Sequence, residues 1–195
     1  MGWPALKDCN ILFLDTETGG LSAANRDIVE IACILTDPSG QTVLEEWEAK
    51  VLPVRAVEPE AAKINGYTAE KWAAAKAIEL APAMIKVLTM AHNTIMCCHN
   101  TPFDKSFIDA ALAMHRQKWT GVYHSLCTMT MSMPLLRAGL VENIRLTTLT
   151  KYFGVPHENA HTAMDDTRGC RGVFLKLQEI YGPAVEAYAA ARATQ

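Results

Sequence analysis

The stretch FLDTETGGL, Phe13 to Leu21, follows the apolar pair Ile11-Leu12 and closes in a Gly-Gly turn. Read as a strand over residues 10–17, it alternates its side chains between two faces, so Ile11, Phe13, Asp15 and Glu17 share one of them. The first two belong in a core, yet the last two are carboxylates. An acid pair at a strand end is also common at solvated turns, so alone it marks no site. What it sets is a frame: a buried strand whose core face runs out into two acids at its carboxyl end.

The rest of the chain fits around that strand. Residues 28–36 read as a second strand, and the turn Asp37-Pro38-Ser39-Gly40 leads into a third over 41–51, forming a hairpin. Helical pieces over 58–64 and 68–76 precede an amphipathic helix over 82–90. A buried strand, 95–99, comes next, then a helix from about 102 to 117 with Asn100 as N-cap and Pro102 in its first turn. A short strand over 122–128 leads into helical material running to Arg137, and the helix over 146–153 stops at Gly154. The last long helix spans about 163–181, with Gly182 and Pro183 as its stop and an Ala-rich tail, 183–195, beyond. With no repeats and no linker, residues 1–195 read as one α/β domain.

Two further acids break apolar stripes. In the last helix Ala163, Cys170, Val173, Leu177 and Ile180 make a core-facing row, and Asp166 fills its gap. Asp165 is turned about 100° away, with Thr162, Gly169 and Gly172, and reads as an ordinary solvated acid. In the helix over 102–117, Asp104 shares a stripe with Phe107, Ala111 and Met114. Asp104 also sits in a first turn, where the helix dipole favours an anion, so a surface acid is the competing reading there.

Four acids in three separate places thus face apolar surfaces, and buried carboxylates are costly unless paired or bound to metal. Oxygen ligands clustered this way suit Mg²⁺ or Mn²⁺. The cysteines and histidines lack zinc-ligand spacing. Of the six histidines, His99 and His115 read as packing or hydrogen-bonding residues, and His92, His124 and His157 as solvated loop residues. His161 stands apart by lying five residues before Asp166.

Composition sets bounds. The 195 residues are half hydrophobic with a net charge of −3, which suits one cored domain and argues weakly against a nucleic-acid partner. The six cysteines include no CxxC pair and read as buried, reduced thiols. There is no secretory segment or membrane-length apolar run, and Leu6 spoils a myristoylation signal at Gly2. The expectation is a cytoplasmic, intracellular protein that engages no membrane.

FLDTETGGL, HNTPFD (His99 to Asp104) and HTAMDD (His161 to Asp166) together resemble the three motifs of the DEDDh (DnaQ-like) 3′–5′ exonucleases. The resemblance runs from about residue 10 to 181, with the motifs in the family's order. It implies a ribonuclease H-like fold, a mixed five-stranded sheet flanked by helices with its first three strands antiparallel. It also implies that Asp15, Glu17, Asp104 and Asp166 bind two divalent ions, Mg²⁺ or Mn²⁺, with His161 as general base. Two ions add about four positive charges, taking −3 to roughly +1, which would admit a phosphate chain. The expected activity is release of 5′-mononucleotides from a free 3′ end of DNA or RNA, single-stranded for preference. Candidate substrate contacts are Thr18, Leu21, Asn100 and Phe103, of which Leu21 and Phe103 read equally well as core. Thr18-Gly19-Gly20 lacks the second threonine of the family's Thr-Thr-Gly, which bears on how this loop holds the terminal nucleotide, and Asn65-Gly66 replaces its His-Gly, so that histidine's substrate contact does not transfer. The competing reading is a non-catalytic module that holds nucleic-acid ends or serves a polymerase as a subunit. Polymerase association and self-association are both left open.

Overall fold

A computed structural model of the chain describes residues 5–158 and 161–193. Its centre is a five-stranded sheet: β1 (Ile11–Thr18), β2 (Ile28–Thr36), β3 (Val43–Lys50), β4 (Ile95–Cys98) and β5 (Ser125–Cys127), in the order β3-β2-β1-β4-β5. β1 pairs antiparallel with β2 and β2 with β3, whereas β4 and β5 add in parallel. This is the mixed sheet expected of a ribonuclease H-like fold. The outer strand β3 carries Glu45, Glu46, Glu48 and Lys50, and charges of this kind discourage edge-to-edge pairing.

Alternation along β1 divides the core. Leu12 and Leu14 face α3 (Leu80–Met90) and α4 (Thr101–Met114), joining Met84, Val87, Phe107 and Ile108. Ile11 and Phe13 face the other way, onto Ala163, Met164, Cys170 and Phe174 of α8 (Ala163–Ala193). The Phe13 and Phe174 rings meet edge-on with centroids 5.3 Å apart. A smaller cluster joins α6 (Met133–Arg137) and α7 (Leu146–Phe153) to α8 through Leu135, Leu149, Val173 and Leu177. The remaining helices are short: α1 (Pro59–Asn65), α2 (Ala69–Ala74) and α5 (Thr128–Met131).

Several sequence expectations need correction. Gly182-Pro183 is no stop, because α8 runs through it to Ala193. Proline removes one ladder donor, but the Ala-rich segment beyond strongly favours helix and the freed carbonyl there can turn to solvent. Asn100 does precede α4, but with φ 77° and no side-chain capping bond. Met114 and Ile180, placed on core stripes, are 50% and 44% exposed, since each lies where its helix has run past the sheet. His115 is exposed for the same reason, and Asp165 is half-buried rather than solvated. All six cysteines are free; five are buried and Cys127 is half-buried. Among the described residues, no helix is long and apolar enough to cross a membrane.

Candidate active site

The acids gather at the carboxyl end of β1. Asp15 and Glu17 continue the Ile11–Phe13 row and are half-buried at its end, with Glu17 opposite Glu30 of β2 just before a register shift. β4 runs parallel to β1, so α4 starts beside that same end and delivers Asp104 from its first turn. Asp104 is 2% exposed, and its Oδ1 accepts from the Thr16 amide at 3.0 Å and the Thr16 hydroxyl at 2.9 Å. From the other face α8 supplies Asp166, whose Oδ1 lies 2.5 Å from Nε2 of His157. His161 stands just before α8, exposed, with φ 73°. Glu17, His161 and Asp166 each bring one donor atom to a cluster spanning no more than 4.8 Å.

The charges in this cluster strain against one another. Burial pushes the Glu17 carboxyl up to about 8 from an ordinary 4.5, helped by Asp166 and Glu30 and opposed by Lys50. Burial likewise raises Asp104 from 3.8 to about 7, although its bonds from Thr16 pull the other way. Asp15 is held well above the ordinary range by burial, then by Asp104, Asp166 and Glu17 in turn. Carboxylates arranged to resist ionisation together are what a divalent cation would relieve. The carboxylate oxygens gathered here therefore fit a hard divalent cation. His99 is different: burial lowers it to about 4, and its ring nitrogens bridge the Thr128 hydroxyl and the Ile144 carbonyl at 2.8 and 3.0 Å. It is a structural tie.

Beside the acids lies a cavity of about 400 Å³ lined by Glu17, Thr18, Leu21, Ile64, Asn65 and Phe103, among others. It brings together three of the four candidate substrate contacts. Leu21 is 86% exposed at its rim, so it is not a core residue, whereas Phe103 packs on Phe107 with ring centroids 5.1 Å apart. The Thr18 hydroxyl is committed to the Gly20 carbonyl at 2.7 Å. Asn100, exposed between β4 and α4, is not part of the lining.

Sequence reasoning missed four supports. Thr16 holds Asp104, and the alternation that put it on the opposite face of β1 gave no hint of this. His157, read as a solvated loop residue, has a side chain only 4% exposed, buried against Asp166. Glu30, also buried, pairs with Lys50; burial raises its carboxyl above the ordinary range, against the pull of Lys50 and, more weakly, of the Ala163 backbone at the start of α8. Asn65 donates to the Thr18 carbonyl at 3.0 Å and accepts from the Tyr67 amide at 3.1 Å, tying the end of α1 to the end of β1. A buried acid in mid-strand β2 was the one available signal among these.

Residues 12–174 match the RNase_T family model, described as an exonuclease. The chain is similar to DNA polymerase III subunit epsilon of Treponema pallidum, 28% identical over 168 residues that cover 84% of this chain and 74% of that protein. Its fold is similar to that of E. coli exonuclease I in complex with a dT13 oligonucleotide, with a TM-score of 0.78 at 21% identity. That match covers 92% of this chain and 43% of the other, so the chain spans less than half of exonuclease I. A zinc-bound form of the exonuclease I–ssDNA complex is similar too, with a TM-score of 0.78 at 23% identity over 93% of this chain and 42% of the other.

Proposed function

Because the chain belongs to the RNase_T exonuclease family, we propose that it hydrolyses single-stranded DNA or RNA from a free 3′ end, releasing 5′-mononucleotides. The observation that supports this reading is the convergence of Asp15, Glu17, Asp104 and Asp166 with His161 at one end of the sheet, beside a cavity sized for a nucleotide. The four acids would hold two divalent ions. When bound, such ions neutralise the scissile phosphate and lower the pKa of a coordinated water.

The chain's own residues supply the rest. His161 is exposed to the cleft and within reach of Glu17 and Asp166, so it can take the proton of the attacking water. Histidine suits this step because its ordinary pKa lies near neutrality. The carboxylates, as cation ligands, are poor bases. Thr16 fixes Asp104 through two bonds to one oxygen. Leu21 at the rim and Phe103 in the wall offer apolar surface to the terminal base, and such stacking is tolerant of sequence. Cleavage is then set by the end rather than by the base.

The test follows 5′-labelled single-stranded DNA and RNA oligonucleotides with Mg²⁺, Mn²⁺, Zn²⁺ or EDTA. Zn²⁺ joins the set because a relative of similar fold has been seen with it. Wild type should give a ladder shortening from the 3′ end, abolished by EDTA. His161→Ala should lower kcat by about 10²–10⁴-fold, the usual contribution of a general base. A ladder that persists in EDTA, or a mutant as fast as wild type, overturns the mechanism. Binding without shortening under every metal overturns the activity and leaves a module that holds ends.

A further inference from the structure

One buried titratable side chain has no part in the mechanism above. His157 lies in the segment between α7 and α8, and its Nε2 sits 2.5 Å from Asp166 Oδ1. Against an ionised Asp166 the ring nitrogen carries the proton and donates it. Nδ1 lies 3.4 Å from the Thr150 hydroxyl. The side chain is 4% exposed, so this is no chance surface contact.

The surrounding chain is shaped to hold the ring there. α7 ends at Gly154, whose φ of 66° turns the backbone sharply onto α8. Val155 then presses against Gly172, where an added Cβ would come within 2.4 Å of its Cγ1. One turn earlier on α8, a Cβ on Gly169 would meet His157 Cδ2 at 3.2 Å and Thr150 Cγ2 at 3.3 Å. Thus the face of α8 that reads from sequence as polar and small is the bed for residues 154–157. Both Gly169 and Asp166 lie under the ring, three residues apart on one helix.

We propose that His157 is a positioning residue that fixes the Asp166 carboxylate in the orientation needed to hold a divalent cation. The inference rests on the reading of Asp166 as a cation ligand. A carboxylate on a short side chain can rotate about its terminal bond. A donor locked on Oδ1 removes that freedom and leaves the second carboxylate oxygen for a cation. Partners of this kind behind a ligand commonly govern about 10–100-fold in metal affinity.

The readout is Mn²⁺ affinity, followed by loss of the free-ion electron paramagnetic resonance signal, alongside the melting temperature of the metal-free protein. Wild type and Asp166→Asn come first. If wild type binds no Mn²⁺, or Asp166→Asn binds as well as wild type, the ligand reading fails and the proposal falls with it. Given binding that depends on Asp166, His157→Leu should weaken Mn²⁺ by about 10–100-fold. His157→Gln keeps an N–H at a similar reach and should recover most of that loss, while the two variants melt alike without metal. Gly169→Ala guards against a His157→Leu chain that does not fold. Alanine favours helix over glycine intrinsically while crowding the ring by a few tenths of an ångström, so metal-free stability should hold while affinity drops several-fold. Wild-type affinity in Gly169→Ala and in whichever His157 variants fold, or equal loss in the Leu and Gln variants, overturns the positioning role.

Discussion

Asp104 illustrates how one side chain is shared between architecture and chemistry. Burial drives its carboxyl towards the neutral form, and two bonds from Thr16 resist that drive. Thr16→Val removes the hydroxyl and keeps the amide bond, so Asp104 should become harder to ionise. Because only the ionised acid can hold a cation, the acidic limb of the pH profile of kcat/KM should move to higher pH. Activity at neutral pH would fall and recover as the pH is raised. A profile that keeps its acidic limb while losing amplitude would mean that the hydroxyl serves packing alone. Asp104 itself was legible because helical periodicity displays an acid on an apolar stripe, as was Asp166. His157 was not, since it lies in irregular chain nine residues before its partner, where no periodicity relates the two. Asn65 failed to register for a similar reason: its bonds reach across to β1, and distance along the chain says nothing of them.

Among the elements, β2 and α7 have the bounds read from sequence, and the strand–turn–strand signal of the hairpin was unambiguous. The long helix α8 is where local rules misled. Its Gly182-Pro183 pair has the grammar of a stop, but grammar of this kind is a weak prior when a run such as 184–193 follows. Nothing beyond Leu177 in this helix belongs to the buried core, and the Tyr181 hydroxyl, donating to the Met131 carbonyl at 2.8 Å, anchors the helix close to the point where it leaves the core. The segment past Pro183 should therefore open on its own, without unfolding the sheet. Pro183→Ala restores a ladder donor in this exposed stretch. It should slow amide hydrogen exchange over residues 184–190 by at least ten-fold and leave the global melting temperature within about 2 °C, as expected of a local event in a domain this size. A global rise of more than about 5 °C would show that the outer part of α8 is coupled to the core.

At the scale of the whole molecule, α4 and α8 approach the end of β1 from different directions and add like charges to those β1 carries, and the fold holds them there against repulsion. In the metal-free protein the pH dependence of stability should record this. Glu17 rises from 4.5 to about 8 on folding, and Asp104 from 3.8 to about 7. Between roughly pH 4 and 8 the folded chain therefore holds protons that the unfolded chain has released, and stability must fall as pH rises through that window. Asp15, also raised, adds to the same slope. This is the reverse of ordinary acid denaturation, in which carboxylates ionise more readily in the folded state. Divalent cations should cancel the slope, because they bind the ionised acids and the folded chain alone. At 100 times the dissociation constant such binding contributes about 2.7 kcal/mol. For a domain of this size that raises the melting temperature by roughly 5–10 °C. Melting curves at pH 5, 6, 7 and 8, each with EDTA and with Mn²⁺, test both statements at once. A melting temperature that is flat or rising with pH in EDTA would mean that the acids are solvated and independent. A falling one that Mn²⁺ does not lift would mean that they repel one another without forming a cation site, and the nuclease reading would lose its physical basis.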